Sequence, residues 1–141
     1  MRISFWIRAW ISSVTTRTLV VVLRVLIADD ERLFAEAIEV ILTSDDRIEV
    51  VGRAHDGNQA VALARELKPD VVLMDLSMPG LDGFLAMAAI LAGEAGTRVL
   101  VLSGSADPAD IARAHEAGAS GYVLKENIAG DLVAKVLDAA P

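Results

Sequence analysis

Cysteine is absent from this chain, which excludes disulfides, thiolate metal sites and cysteine nucleophiles and leaves the redox compartment open. Histidine is nearly absent too. His55 and His115 stand far apart, in no metal-ligand spacing, and both read as surface residues of a helix or loop. Acidic residues are missing from residues 1–23, which hold Arg2, Arg8 and Arg17; taking these three positive charges from a total of −7 leaves −10 on the remainder. A body so acidic repels nucleic acid and argues against direct DNA binding by this chain. Within residues 1–22 the longest uncharged stretch, Ala9–Thr16, is too short to span a bilayer, and no small-residue cleavage site follows an apolar core.

What is present is apolar. At 141 residues and 54% hydrophobic, the chain supports one globular domain with a real core and has no room for a second folded module. From Leu23 onward, short apolar runs alternate with longer stretches of helical period. The runs Leu23–Ala28, Ile48–Ala54, Val71–Met74, Arg98–Leu102 and Gly121–Leu124 lack polar alternation, as strands covered on both faces do. Between them, Leu33, Ala37, Val40 and Ile41, and then Ala60, Val61, Ala64 and Leu67, predict helical faces packed on a sheet.

Helix punctuation agrees. Asp56-Gly57-Asn58-Gln59 has the form of a capping box, and Asp107-Pro108 sets a capping acid before a proline at the first helical position. Lys68-Pro69-Asp70 closes the second helix, and Gly118 suits the left-handed end of the fourth. Five β/α units without internal repeat, joined by right-handed crossovers, give a doubly wound five-stranded parallel sheet with helices on both faces; the strand order expected is 2-1-3-4-5, a flavodoxin-like α/β fold.

In such sheets ligands bind beyond the carboxyl ends of the strands, where strand order reverses. Asp29, Asp30, Asp75, Ser103 and Lys125 each fall just past an apolar run and so reach that rim. Crowded carboxylates raise one another's pKa unless a hard cation neutralises them, and a lysine nearby pairs with phosphate oxygens. The pattern therefore points to a divalent cation and a phosphoryl group. Acids that follow strands are often plain helix caps, but that account suits only Asp30, because Asp75 is followed by Leu76-Ser77-Met78-Pro79 and not by a helix.

These residues resemble the receiver domains of bacterial two-component response regulators. The resemblance is carried by Val25-Leu26-Ile27-Ala28-Asp29-Asp30-Glu31, the block from Pro69 to Gly83 around Asp75, Val101-Leu102-Ser103-Gly104, and Gly118-Ala119-Ser120-Gly121-Tyr122-Val123-Leu124-Lys125. It spans roughly residues 23–140, and the wording around Asp75 and Lys125-Glu126 is most similar to receivers of the NarL type, which usually precede a helix-turn-helix output domain. The resemblance implies that Asp75 takes a phosphoryl group from the phosphohistidine of a sensor histidine kinase or phosphotransfer protein. It implies Mg²⁺ held by Asp29, Asp30, Asp75 and the backbone carbonyl of Ser77. Lys125 and Ser103 would contact the phosphoryl group, and Ser103 with Tyr122 would switch a face built from the fourth helix, fifth strand and fifth helix. It further implies a cytoplasmic protein that is no enzyme beyond its own phosphorylation and dephosphorylation, and a homodimer formed on phosphorylation.

Two features depart from the pattern. The chain stops at Pro141, where an output domain would begin, which fits a single-domain receiver or part of a longer protein. Residues 1–22 have no counterpart in the family. Ile3, Ile7, Trp10 and Val14 share one helical face, so a basic amphipathic helix, docking or on a membrane surface, is one reading; a disordered tail or a start assigned upstream of Val20–Val22 is preferred. Two other functions stay open for the receiver portion, 23–141. One is a phosphate-independent interaction module, which loss of Asp75, the acidic pair or Lys125 would mark. The other is a Mg²⁺-dependent phosphohydrolase, which needs a second acid where Ser77 stands.

Overall fold

A computed structural model describes residues 22–93 and 95–141, so the reading of the N-terminal extension lies outside the described residues apart from Val22. The elements alternate as expected: β1 (Leu23–Ala28), α1 (Arg32–Thr43), β2 (Ile48–Ala54), α2 (Gly57–Leu67), β3 (Val71–Asp75), α3 (Gly83–Leu91), β4 (Arg98–Ser103), α4 (Pro108–Glu116), β5 (Gly121–Leu124) and α5 (Ile128–Asp138), the last preceded by a 3-10 turn at Lys125–Asn127. All pairings are parallel and the strand order is β2-β1-β3-β4-β5. Strands β3 and β4 run one residue further than the apolar runs predict, and so take Asp75 and Ser103 into the sheet itself.

The two-residue period of the strands divides the core. Val25 and Ile27, Val71 and Leu73, and Leu100 and Leu102 pack with Ala35, Ile38 and Leu42 of α1 and Leu132 and Val136 of α5. Leu26, Val72, Met74, Val99 and Val101 face the other way, against α2, α3 and α4. Central strands β1, β3 and β4 are buried on both sides, whereas edge strands β2 and β5 are half-buried along most of their length.

One helix turns differently from its predicted phase. Residues Leu33, Ala37 and Val40 of α1 face outward, and the buried set is Ala35, Ile38 and Leu42. Apolar residues lie all round this helix, so periodicity alone does not choose a face; the attachment to β1 and β2 does. In α2 the predicted Ala60, Val61 and Ala64 are buried, with Leu67 packed at the margin.

The punctuation has identifiable partners. Asp56 accepts from the Gln59 N–H at 2.7 Å, while the Gln59 side chain accepts from the His55 N–H, so the box closes one residue early. Asp107 accepts from the Ala109 N–H ahead of Pro108 at the first turn. Lys68 ends α2 in the left-handed region at φ 49, a conformation that costs a non-glycine residue about 1–2 kcal/mol. The Arg24 guanidinium offsets this by donating to the carbonyls of Leu67 and Lys68 at 2.7 and 3.0 Å, charged hydrogen bonds of about 1.5 kcal/mol or more each before solvent exposure is discounted.

Candidate functional site

Register builds the site. Ala28 pairs with Met74, so the next residues, Asp29 and Asp75, stand side by side at the carboxyl ends of β1 and β3. Asp75 pairs with Leu102 and Leu102 with Val123, which sets Lys125 two residues beyond this row, just past the end of β5. Period two then sorts the side chains: Asp29 follows Val25 and Ile27, Asp75 follows Leu73, and Lys125 follows Val123, all on the α1/α5 face. Ser103 and Tyr122 fall on the opposite face.

The loop after β3 is held by close backbone approaches. A Cβ on Gly83 would stand 2.4 Å from the Leu76 carbonyl oxygen, and one on Gly57 would stand 2.6 Å from that of Leu81, so neither position admits a side chain without a shift. Met78 is buried and anchors the same loop. Asp75 is thereby the end of a rigid strand with a fixed turn beneath it.

At the centre, Lys125 Nζ lies 3.0 Å from each of Asp29 Oδ2, Glu31 Oε1 and Asp75 Oδ2. Its side chain is mostly buried and passes over the Phe34 ring, 4.6 Å from the centroid. Burial works to lower the Lys125 pKa, but the carboxylates of Glu31, Asp29 and Asp75 gathered around the ammonium outweigh it and hold it protonated above its ordinary range. Burial pushes the Asp29 carboxyl up; the Glu31 N–H and Lys125 oppose this in part, and the Asp75 charge adds to the rise.

Other contacts order the rim. Asp29 Oδ1 accepts from the Glu31 N–H at 2.9 Å, and it is Glu31, without a side-chain hydrogen bond of its own at the cap, that begins α1. Asp30 is therefore not the helix cap and stands exposed beside Asp29. Asp75 Oδ1 accepts from both the N–H and the hydroxyl of Ser77, at 2.9 and 2.7 Å. Ser103 Oγ accepts from the Ser105 N–H at 3.1 Å, and Tyr122 donates its hydroxyl to the Ser105 carbonyl at 2.8 Å. His115 is exposed as expected, but His55 is half-buried and its Nδ1 has no partner among the described residues.

Two residues escaped the sequence reading, Ser77 through its hydroxyl and Ser105, while Glu31, an acid of the first motif left out of the expected metal shell, shows its pairing with Lys125 only once the fold is in place. Ser105 joins Ser103 to Tyr122 and is itself fixed by donating to Asp110 Oδ2 at 2.6 Å; nothing in a Ser-Gly-Ser stretch distinguishes it beforehand.

A divalent cation fits this rim on chemical grounds. Asp29, Asp30 and Asp75 each offer a carboxylate oxygen, all within 4.8 Å of one another. On an octahedral Mg²⁺ at ~2.1 Å adjacent oxygens lie ~3.0 Å apart and opposite ones ~4.2 Å, so small side-chain movements bring these three carboxylates into its coordination range. The buried Asp29 Oδ2, though close to Lys125, has no hydrogen bond among the described residues and is an acceptor still open to a ligand.

Comparison with known proteins gives the family. The model of the response regulator receiver domain matches residues 25–137. The chain belongs to that family. Among its relatives, the transcriptional regulatory protein NarL of Mycobacterium tuberculosis is 40% identical over 117 residues, covering 83% of this chain and 54% of NarL. A protein-glutamate methylesterase/protein-glutamine glutaminase of Myxococcus xanthus is 47% identical over 109 residues, covering 75% of this chain and 30% of that enzyme. The signal receiver domain of the M. tuberculosis NarL superimposes with a TM-score of 0.79 at 39% identity, covering 84% of this chain and 95% of that domain. This receiver domain thus spans about half the length of one curated relative and less than a third of the other. The flavodoxin-like order read from the sequence is the order observed, and the phosphorylation-dependent switch that the resemblance implied is the family's function. Among the described residues no helix is long and apolar enough to cross a membrane.

Proposed function

We propose that Asp75 is the phosphoacceptor of a signalling switch, charged by the phosphohistidine of a sensor histidine kinase or phosphotransfer protein. The observation that supports this most is the convergence of Lys125 on Asp29, Glu31 and Asp75 at 3.0 Å around a buried carboxylate oxygen without a hydrogen bond. A carboxylate oxygen of Asp75 attacks phosphorus in line; the P–N bond breaks, its electron pair returns to the imidazole, which takes up a proton, and an acyl phosphate remains on Asp75. Lys125 pairs with the phosphoryl oxygens, and Ser103 gives up its contact with Ser105 to donate to them. Asp29, Asp30, Asp75 and the Ser77 backbone carbonyl hold Mg²⁺. The bound ion would neutralise charge on the transferring group.

The switch follows from Ser105. When Ser103 turns to the phosphoryl group it releases the Ser105 N–H, and Tyr122, held by the Ser105 carbonyl, turns inward. That repacks the face of α4, β5 and α5, where a groove of about 510 Å³ runs past Ile111, His115, Tyr122 and Lys135. The face takes an output partner, a further domain of a longer protein, or a second copy of the chain on phosphorylation. The protein works in the cytoplasm, contacts no nucleic acid through this acidic domain, and catalyses only its own phosphorylation and dephosphorylation. Ser77 in place of a second acid disfavours the phosphohydrolase reading, and the retained Asp75, acidic pair and Lys125 disfavour a phosphate-independent module.

The test is intact-protein mass after incubation with acetyl phosphate and Mg²⁺, beside Asp75→Ala and a chelated sample. One added phosphoryl group that requires both Asp75 and the metal is expected. Addition to Asp75→Ala, or none in any condition, overturns the assignment.

A further inference from the structure

We propose that Glu31 and Phe34, at the start of α1, are positioning residues that keep the Lys125 ammonium at Asp75 while the neighbouring carboxylates are engaged by a divalent cation. This role rests on the function proposed above. Three carboxylates meet Lys125 Nζ at 3.0 Å, and they are not equivalent. Asp29 and Asp75 belong with Asp30 to the cluster suited to a cation, whereas Glu31 stands outside it. With a cation bound there, the two buried acids are shared and the ammonium meets a like charge. Of the three, only Glu31 then keeps its full charge for the lysine.

The local fold commits Glu31 to this contact. Its backbone is fixed on both sides: the N–H donates to Asp29 Oδ1 at 2.9 Å, and the carbonyl accepts from the Ala35 N–H at 2.9 Å. An acid at a helix start commonly caps it or answers its dipole. Glu31 holds the N-cap position, yet its side chain makes no capping bond; Oε1 accepts instead from Lys125, 94 positions further along the chain. Phe34, three residues on and so a neighbour of Glu31, places its ring centroid 4.6 Å from the same Nζ. An aromatic face attracts an ammonium and offers no oxygen to a hard metal ion. Both contacts therefore hold the lysine without competing for the cation.

The Glu31 side chain is 64% exposed and that of Lys125 17%, so their pair is a rim interaction that adds little to stability. Its effect belongs to the site, where a loosened ammonium spends less time on the phosphoryl oxygens. For a pair so exposed, the rate of phosphoryl uptake should fall about threefold to fivefold when Glu31 loses its charge.

Lysine NMR reads the positioning directly. The chain has three lysines, Lys68, Lys125 and Lys135, and Lys125→Met identifies the ε-ammonium signal that matters. In the parent, the Lys125 ammonium protons should stay visible and slow to exchange with saturating Mg²⁺. In Glu31→Gln and in Phe34→Leu they should be visible without Mg²⁺ and broadened or lost with it. Glu31→Gln should also slow uptake from acetyl phosphate in the parent but not in Lys125→Met. Mere relief of repulsion toward the anionic donor does not pass through the lysine and acts alike in both backgrounds. Loss of the signal in the parent on adding Mg²⁺, the same signal with and without Glu31, or an equal rate change in both backgrounds overturns the proposal. Amide shifts at Asp29, Asp30 and Asp75 report the cation independently, so absence of metal binding, which ends the functional reading, is told apart from a cation that binds while Lys125 ignores Glu31. If Asp75 takes no phosphoryl group, the functional reading fails while the ammonium signal still decides the positioning.

Discussion

Lys125 Nζ lies 3.0 Å from Asp75 Oδ2 and at the same distance from Asp29 Oδ2 and Glu31 Oε1, so one ammonium serves three carboxylates. Removing it leaves Asp29 and Asp75 buried without their counter-charge. Breaking a fully buried pair costs about 3–5 kcal/mol. Lys125 keeps partial solvent access, so a loss of about 2 kcal/mol is expected for Lys125→Met at neutral pH, with Mg²⁺ restoring more stability than it adds to the parent. Urea unfolding with and without Mg²⁺ measures both; an unchanged midpoint would refute the counter-charge role. Phosphoryl uptake at Asp75 should fall at least about tenfold, the equivalent of one lost interaction of ~1.4 kcal/mol in the transition state.

The raised pKa of Asp29 has the opposite sign from the one its ion pair with Lys125 alone would give, because burial outweighs that pair. Its folded-state value lies above the unfolded value near 3.8, so its favourable contribution is present below that pH and is lost as pH rises through the folded value. At neutral pH the ionised Asp29 is therefore a cost to the fold. Asp29→Asn should raise the unfolding midpoint at pH 7 without Mg²⁺, lose the advantage toward pH 4, and abolish stabilisation by Mg²⁺. A midpoint lower than the parent's at pH 7 would show that Lys125 and the Glu31 N–H dominate over burial.

Ser77 gives Asp75 Oδ1 two donors, the hydroxyl at 2.7 Å and the N–H at 2.9 Å. Ser77→Ala removes only the first. A hydrogen bond to a charged group contributes about 1.5 kcal/mol or more, and its loss leaves the carboxylate less stabilised and more nucleophilic. The rate of phosphoryl uptake from acetyl phosphate should rise several-fold, read by intact mass over time. A rate at or below the parent's shows instead that the hydroxyl aligns the carboxylate.

Tyr122→Phe removes the bond to the Ser105 carbonyl and leaves Ser103 on the Ser105 N–H. The expected cost is about 1 kcal/mol, confined to the β4–α4 loop. Amide exchange should quicken at 104–107 and stay unchanged in β1 and β3. Uniform quickening across the sheet would mean that the tyrosine supports the core and not the loop.

Several of these relationships could be anticipated from the chain. The apolar runs located all five strands, because strands buried on both faces need no polar alternation, and the acids, serine and lysine past their ends marked the rim. Harder to anticipate was the outward face of α1. Leu33 and Val40 are as apolar as Ile38 and Leu42, and hydropathy does not say which pair meets the sheet. Ser105 was equally hidden, since its importance comes from two backbone contacts, and any residue has a backbone N–H and carbonyl to offer.

The amino-acid sequence by itself determined the alternation of elements, the residues at the strand ends and, through the two-residue period, which of them share a face of their own strand. Tertiary structure decided the register in which neighbouring strands pair and how closely their ends approach. Those pairings bring Asp29, Asp75 and Lys125, separated by 46 and 50 positions, within reach of one another. The physical reason is that hydropathy and period are properties of a local segment, whereas a charge cluster, its desolvation and its pKa values exist only where distant segments meet.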